Sequence, residues 1–137
     1  MTFMQTNKLT LVVDDSRVIR TIVGQALRQL GFDTEEAGNG REGLERLREK
    51  GPPAVVMIDW NMPELNGLEM VQAIRANPAW NDVRLIMITS ENELERVETA
   101  LEAGADEYIM KPFTKEMIQE KLHLLGIALP GIAPATI

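Results

Sequence analysis

The side chains best suited to chemistry stand directly after apolar runs in this sequence. Residues 55–58 (VVMI) lead into Asp59, and three other apolar runs lead into Asp14-Asp15, Thr89-Ser90 and Lys111. Continuous apolar runs of this length are typical of strands buried on both faces of a parallel sheet. Because parallel strands end at one edge of a sheet, we expect these polar groups to converge on one concave patch, where open α/β folds place ligand sites.

The expected patch combines three carboxylates, from Asp14, Asp15 and Asp59, with the ammonium group of Lys111. Carboxylates this close repel one another unless a cation joins them, and Mg²⁺ accepts carboxylates together with a phosphoryl oxygen. Aspartate is a covalent acceptor of phosphate in some enzymes. A lysine and the Thr89 hydroxyl could hold the phosphoryl oxygens. We therefore interpret Asp59 as a phosphate acceptor that works with Mg²⁺.

Each of these groups also has a simpler explanation when taken alone. Asp14-Asp15 would place favourable charge at the N-terminus of the first helix, and Ser90 would cap the fourth helix. Lys111 would be a solvated charge before a proline turn, and Tyr108 would be an aromatic anchored at the edge of the core. Their joint position at the ends of four separate strands favours the chemical interpretation.

Alternating strands and helices must position these groups. Apolar periodicity and turn residues predict strands over residues 8–13, 32–37, 55–59, 85–88 and 108–110. They predict helices over residues 16–30, 40–50, from 67 to the Asn77-Pro78 stop, 93–103 and 114–125. Short connections between alternating elements predict a five-stranded doubly wound parallel sheet, the (βα)5 or flavodoxin-like fold, with helices on both faces.

The apolar residues of the last two helices predict which faces turn inward. On the fourth helix these are Leu94, Val97 and Leu101. On the last helix they are Met117, Ile118, Leu122 and Leu125. We expect one domain over residues 8–125, with short tails at 1–7 and 126–137. The C-terminal tail is apolar but interrupted by prolines, so we expect a loose end that could dock on the domain or on a partner.

Composition narrows the function classes. The net charge is −7 and the pI is about 4.8, which argues against direct binding to nucleic acid or to an anionic membrane. The absence of cysteine excludes disulfides and thiol chemistry. The N-terminal residues have no apolar segment of a signal peptide, and no run approaches transmembrane length. We therefore expect a cytoplasmic location.

The polar motifs, taken in this order and at this spacing, resemble a known family. The match extends over residues 8–125 and is to the receiver domain of two-component response regulators, of the CheY-like single-domain type. The motifs that carry it are Asp14-Asp15, Asp59-Trp60-Asn61-Met62-Pro63 with Gly67, Thr89-Ser90, residues 104–108 (GADEY), and Lys111-Pro112-Phe113.

The resemblance implies a role for each acidic residue. Asp59 would be the phosphoacceptor and would take phosphate from the phosphohistidine of a histidine kinase or of a phosphotransfer protein. Asp15, Asp59 and the backbone carbonyl of Asn61 would bind Mg²⁺, with Asp14 helping through water. Asn61 and Glu91 would flank the phosphoryl group and tune its loss, which indicates a dedicated phosphatase as a further partner.

The resemblance also implies a switch. Thr89 and Lys111 would hold the phosphoryl oxygens, and the Lys111–Pro112 peptide bond would be cis, since only X-Pro bonds adopt cis at small cost. The Thr89 hydroxyl would move toward phosphate while the Tyr108 ring rotates inward. The surface formed by helix 4, strand 5 and helix 5 would then change its affinity for a downstream protein partner.

These features predict a phosphorylation-dependent binding switch, such as a stand-alone chemotaxis regulator, and not an enzyme beyond slow autodephosphorylation. A phosphate shuttle, a phosphate sink and a receiver cut from a larger regulator remain alternatives. A phosphohydrolase of the haloacid-dehalogenase type would need a second aspartate where Asn61 stands. A flavodoxin-like cofactor binder would need a phosphate loop after strand 1, where Asp14-Asp15 would repel an anion.

Overall fold

The computed structural model describes residues 7–130. Strands and helices alternate along the chain. The strands are β1 (Leu9–Val13), β2 (Asp33–Ala37), β3 (Val55–Asp59), β4 (Arg84–Thr89) and β5 (Glu107–Met110). The helices are α1 (Arg17–Gln29), α2 (Gly40–Lys50), α3 (Gly67–Arg75), α4 (Leu94–Ala103) and α5 (Lys115–Leu124), with single 3-10 turns at Pro78–Trp80 and Glu91–Glu93. None of the helices in the described range is long and apolar enough to cross a membrane.

The strands form a single five-stranded sheet in the order β2-β1-β3-β4-β5, with every pairing parallel. This confirms the predicted doubly wound (βα)5 fold. The register places Asp59 beside Ile88 and Thr89 beside Met110, so the strands end together. The chain reverses its direction across the sheet between β1 and β3, which is where such folds open a crevice at the strand ends. The predicted site residues of β1 and β3 lie at this crevice.

Apolar side chains fill both faces of the sheet. The central strand β3 is buried along its whole length, as its continuous apolar sequence predicts. Val56 and Ile58 belong to the core on the side of α2, α3 and α4. Val55 and Met57 belong to the core on the side of α1 and α5. This alternation fixes β3 between two packed layers and holds Asp59 at its end.

The predicted inward face of α4 is wrong at two positions. Leu94 and Leu101 are 40% and 41% exposed, whereas Val97 and Ala100 are buried. The helix begins one residue later than predicted, after a 3-10 turn, and it packs through the Val97 and Ala100 side chains. Packing of a small alanine against the sheet lets the helix lie close, which leaves both leucines at the solvent boundary.

The end of the chain differs from the prediction in a similar way. Met117 is 37% exposed, whereas Ile118 and Leu122 are buried as predicted. Beyond α5 the chain does not become loose at once, because Ile127 and Leu129 pack against the α1–α5 core. The rest of the predicted C-terminal tail, residues 131–137, and the N-terminal tail up to residue 6 lie outside the described residues.

Candidate functional site

The three predicted carboxylates meet at the C-terminal edge of the sheet. Asp14 and Asp15 follow β1, and Asp59 is the last residue of β3. One carboxylate oxygen from each residue lies within 4.8 Å of the other two. Asp15 is exposed, whereas Asp14 and Asp59 are 0% and 5% exposed. The acidic cluster therefore has one solvent-exposed carboxylate, that of Asp15, and two buried ones.

Asp14 is held by the backbone around it. Its Oδ1 accepts a hydrogen bond from the Ser16 amide at 2.8 Å, and its carbonyl accepts one from Arg20 Nη1 at 2.6 Å. Its Oδ2 is buried and has no hydrogen-bond partner within the described part of the chain. Burial is the largest cause that raises the pKa of Asp14 above its ordinary value. A buried carboxylate oxygen without a donor is a vacant acceptor, which suits a cation or its bound water.

Asp59 has the most strongly shifted pKa in the site. Burial, followed by the negative charge of Asp14, raises the pKa of Asp59 to about 7. The ammonium of Lys111 opposes this rise, and its Nζ lies 3.5 Å from Asp59 Oδ1. Asp15 and Glu93 add smaller repulsion. One lysine therefore compensates only part of the negative charge around Asp59.

The donor set fits a small hard cation. Three carboxylates supply the oxygen ligands that Mg²⁺ prefers, and a divalent charge would relieve the repulsion that raises the pKa of Asp59. Within this cluster, Asp14 Oδ2 has no hydrogen-bond donor among the described residues, so it is available to such a cation. The Asn61 backbone carbonyl as a further ligand remains a prediction from the family resemblance.

The loop that follows β3 approaches the sheet closely. The Gly67 amide donates to the Trp60 carbonyl at 3.0 Å, which closes the loop onto the start of α3. A Cβ at Gly67 would lie 2.5 Å from the Asp59 carbonyl oxygen, closer than real atoms approach. The glycine is therefore required by the path of the backbone beside Asp59, which explains its place in the motif.

The two predicted switch residues lie on neighbouring strands, Thr89 at the end of β4 and Tyr108 on the edge strand β5. Thr89 is buried at the end of β4, and its hydroxyl donates to the carbonyl of the next residue, Ser90, at 3.2 Å. Tyr108 is half-buried on β5, and Lys121 Nζ lies 4.9 Å from the centroid of its ring. The Lys111–Pro112 peptide bond is cis, as the resemblance implies. The rotation of Tyr108 remains a prediction.

Glu93 is a site residue that the interpretation of the sequence missed. It is 9% exposed, and its Oε1 accepts hydrogen bonds from both the amide and the hydroxyl of Ser90, each at 3.0 Å. Its Oε2 accepts a hydrogen bond from Asn61 Nδ2. The predicted N-cap role of Ser90 is wrong, because Glu93 itself occupies the N-cap position of α4. The three-residue spacing of Ser90 and Glu93 was the signal in the sequence, because at this spacing a glutamate can reach back to a serine amide.

Arg96 extends the same set of contacts toward the β3–α3 loop. Its Nη1 donates to Asn61 Oδ1 at 3.3 Å. Its guanidinium carbon lies 5.7 Å from the centroid of the Trp60 ring. Both polar atoms of the Asn61 side chain are therefore engaged by α4 and its N-cap.

Comparison with known proteins agrees with this geometry. The family model described as "Response regulator receiver domain" matches residues 10–123. The chain is 44% identical to the chemotaxis protein CheY1 of Helicobacter pylori strain J99 over 116 residues, which cover 84% of this chain and 94% of that protein. It is 45% identical to a chemotaxis protein CheY homolog of Campylobacter jejuni over 114 residues, covering 82% and 88% of the two chains.

A solved structure with the same architecture is that of the chemotaxis protein CheY4 of Vibrio cholerae. It superposes with a TM-score of 0.80 at 32% identity and covers 88% of this chain and 99% of that one. The fold, the acidic cluster at the strand ends and the extent of these matches agree with one another. The chain belongs to the response regulator receiver domain family of two-component signalling.

Proposed function

We propose that Asp59 accepts a phosphoryl group from the phosphohistidine of a histidine kinase or of a phosphotransfer protein, with Mg²⁺ bound at Asp14, Asp15 and Asp59. The observation that carries this proposal is the buried Asp59 carboxylate, which lies between an acidic cluster and Lys111 Nζ at 3.5 Å. Members of the family interact with histidine kinases and with downstream targets. The proposal is that this chain does so through Asp59.

In the transfer step, an Asp59 carboxylate oxygen attacks phosphorus and the phosphorus–nitrogen bond to histidine breaks. The bonding pair leaves with the imidazole nitrogen, and Asp59 becomes an acyl phosphate. Lys111 neutralises charge on the phosphoryl oxygens as a point cation. Bound Mg²⁺ would supply further charge neutralisation and orient the phosphoryl oxygens. Thr89 must leave the Ser90 carbonyl before its hydroxyl can donate to a phosphoryl oxygen.

The chain acts in this proposal as a binding switch and not as an enzyme that turns over a substrate. Water attack on the acyl phosphate would return the Asp59 carboxylate and inorganic phosphate, which resets the switch. A haloacid-dehalogenase type of hydrolase uses an acid two residues after the nucleophile. At that position Asn61 carries an amide, and its NH₂ group is hydrogen-bonded to Glu93. This supports slow loss of phosphate rather than catalysed hydrolysis.

The proposed output surface lies at the β5 edge of the sheet, where α4 packs on one face and α5 on the other. Leu94 and Leu101 on α4 and Met117 and Leu124 on α5 are exposed apolar side chains. Exposed apolar groups on adjacent elements are typical of a protein-binding surface. The relatives are named as chemotaxis proteins, so we propose that this chain is a cytoplasmic chemotaxis regulator. A phosphate shuttle or a phosphate sink is the alternative role.

The test is labelling by a small phosphodonor, such as acetyl phosphate, in the presence of Mg²⁺. The wild-type chain should become phosphorylated, and Asp59→Asn should not, while its circular dichroism spectrum stays native. Asp33→Asn, which changes an exposed aspartate of β2, is the matched control and should be labelled like the wild type. Labelling of Asp59→Asn at the wild-type level would sink the assignment.

The downstream partner can be sought with the same variant. Wild-type chain loaded with beryllofluoride and Mg²⁺ should retain a partner from a cell extract that Asp59→Asn does not retain. Leu101→Asp on the proposed surface should weaken that retention without affecting phosphodonor labelling. Retention that is equal for loaded wild type and Asp59→Asn would contradict a phosphate-dependent output.

A further inference from the structure

Glu93 connects the two loops that frame the phosphoacceptor. Through Ser90 it holds the β4–α4 loop, which begins directly after Thr89, the last residue of β4. Through Asn61 it holds the β3–α3 loop, which begins directly after Asp59. Its carboxylate accepts three hydrogen bonds at 9% exposure, so it is a well-satisfied buried acceptor. The two loops are therefore joined across the mouth of the site by a single side chain.

The donors that Glu93 holds are the ones that a phosphoryl group would compete for. The Asn61 amide is two residues from the phosphoacceptor, and the Ser90 amide is one residue from Thr89. The Thr89 hydroxyl is turned toward the Ser90 carbonyl, in the loop that Glu93 fixes. A phosphoryl group on Asp59 would add negative charge close to a carboxylate that already repels Asp59. Phosphorylation and the Glu93 contacts therefore oppose each other.

We propose that Glu93 is a positioning residue that stabilises the unphosphorylated arrangement through its hydrogen bonds to Asn61 and Ser90. These hydrogen bonds, called the tie below, must break when phosphate reaches Asp59. This inference rests on the proposed function of Asp59. It assigns to Glu93 no contact with phosphate or metal, because Glu93 acts through Asn61 and through the loop that directly follows Thr89. Asn61 also accepts a hydrogen bond from Arg96, whose guanidinium lies over the Trp60 ring. The fluorescence of Trp60 should therefore respond when the contact between Glu93 and Asn61 is lost.

The inference predicts that loss of the tie favours the phosphorylated state. In Glu93→Ala, beryllofluoride with Mg²⁺ should bind about tenfold more tightly, because hydrogen bonds to a charged acceptor no longer have to be broken first. Labelling by acetyl phosphate should accelerate in the same direction. A residue with a merely structural role would lower both stability and labelling, whereas a positioning residue of this kind lowers stability and raises labelling.

Two further variants separate the tie from simple charge. Glu93→Asp keeps the negative charge but is one methylene too short to reach Ser90 and Asn61 together, so it should behave like Glu93→Ala. Glu95→Ala removes an exposed carboxylate from the first turn of the same helix and should match the wild type. Trp60 fluorescence, recorded with Trp80 replaced by Phe, should change in both Glu93 variants even without ligand.

The experiment distinguishes failure of the inference from failure of the proposed function. If wild-type Asp59 is not labelled, the proposed function fails and the role of Glu93 falls with it. If the wild type is labelled but Glu93→Ala binds beryllofluoride no more tightly, the tie is overturned while the phosphoacceptor stands. An equal gain in Glu95→Ala, or wild-type behaviour of Glu93→Asp, would show that charge alone acts and would also overturn the tie.

Discussion

Lys111 Nζ lies 3.5 Å from Asp59 Oδ1, so a lysine that follows β5 faces a carboxylate that ends β3. These two strands are not neighbours in the sheet, since β4 lies between them. The lysine reaches over the end of β4 and places its charge against the acidic cluster. This relationship offsets part of the cost of burying Asp59 beside two other carboxylates.

The first prediction concerns that lysine. Lys111→Met should slow phosphodonor labelling of Asp59 by about a hundredfold, because the cation that would neutralise the phosphoryl oxygens is lost. Lys50→Ala, at the exposed end of α2, is the charge-matched control and should label at the wild-type rate. Rates are measured with acetyl phosphate and saturating Mg²⁺. A loss of less than threefold in Lys111→Met would contradict the role.

The second prediction concerns pH. The pKa of Asp59 in the folded protein is about 7, above its ordinary value near 3.8. The folded state therefore binds an extra proton between these values, and its stability falls as the pH rises through 7. Asp59→Asn cannot ionise, so it should be more stable than the wild type by about 2–4 kcal/mol above pH 8. The difference should shrink as the pH falls toward 4.

Urea unfolding across this pH range measures the effect. Asp14 also has a raised pKa and repels Asp59, so the difference between wild type and variant contains both the titration of Asp59 and its coupling to Asp14. Added Mg²⁺ should stabilise the wild type above pH 7 more than it stabilises Asp59→Asn. A stability difference that does not change with pH would show that the charge of Asp59 is not its cause.

The third prediction uses Trp60 as a reporter of the metal. Its ring is half-buried, directly follows Asp59 and lies under the Arg96 guanidinium. With the buried Trp80 replaced by Phe, Mg²⁺ should change the remaining fluorescence in a saturable way. Adding Asp59→Asn to this background should weaken the response. An unchanged signal in a folded Trp80→Phe protein would count against a metal at Asp15 and Asp59.

The fourth prediction concerns the scaffold behind the site. Arg75 donates to the carbonyls of Gly104, Trp80 and Val83 and pairs with Asp106 at 2.9 Å. Arg75→Ala should reduce the free energy of unfolding by about 3 kcal/mol, because it leaves a half-buried carboxylate and several carbonyls without their donor.

Arg84 provides the matched control for Arg75. It pairs with the same Asp106 at 3.7 Å, but its side chain is 49% exposed. Exposed ion pairs contribute little, so Arg84→Ala should cost less than about 1 kcal/mol. Both are measured by urea unfolding at constant m-value. Equal costs for the two variants would contradict the assignment of the stabilising contacts to Arg75.

The order of the elements and the acidic cluster of the site could be predicted from the sequence. Continuous apolar runs mark β1, β3 and β4 as buried strands, and their parallel arrangement requires that the residues after them share an edge. That physical constraint brings Asp14, Asp15 and Asp59 together without knowledge of any distance, and their oxygens do lie within 4.8 Å of one another. The local pattern was sufficient here because each residue's position depends only on the strand that it follows.

Only the tertiary structure determined which faces of short helices are buried and which polar groups pair across loops. Leu94 and Leu101 match a helical period, but the fit of Val97 and Ala100 against the sheet selects another face of α4. Glu93 appears in the sequence as one more surface glutamate, yet folding places its carboxylate between Ser90 and Asn61. The contact with Asn61 joins residues 32 positions apart, so it depends on the packing of whole elements and not on local periodicity.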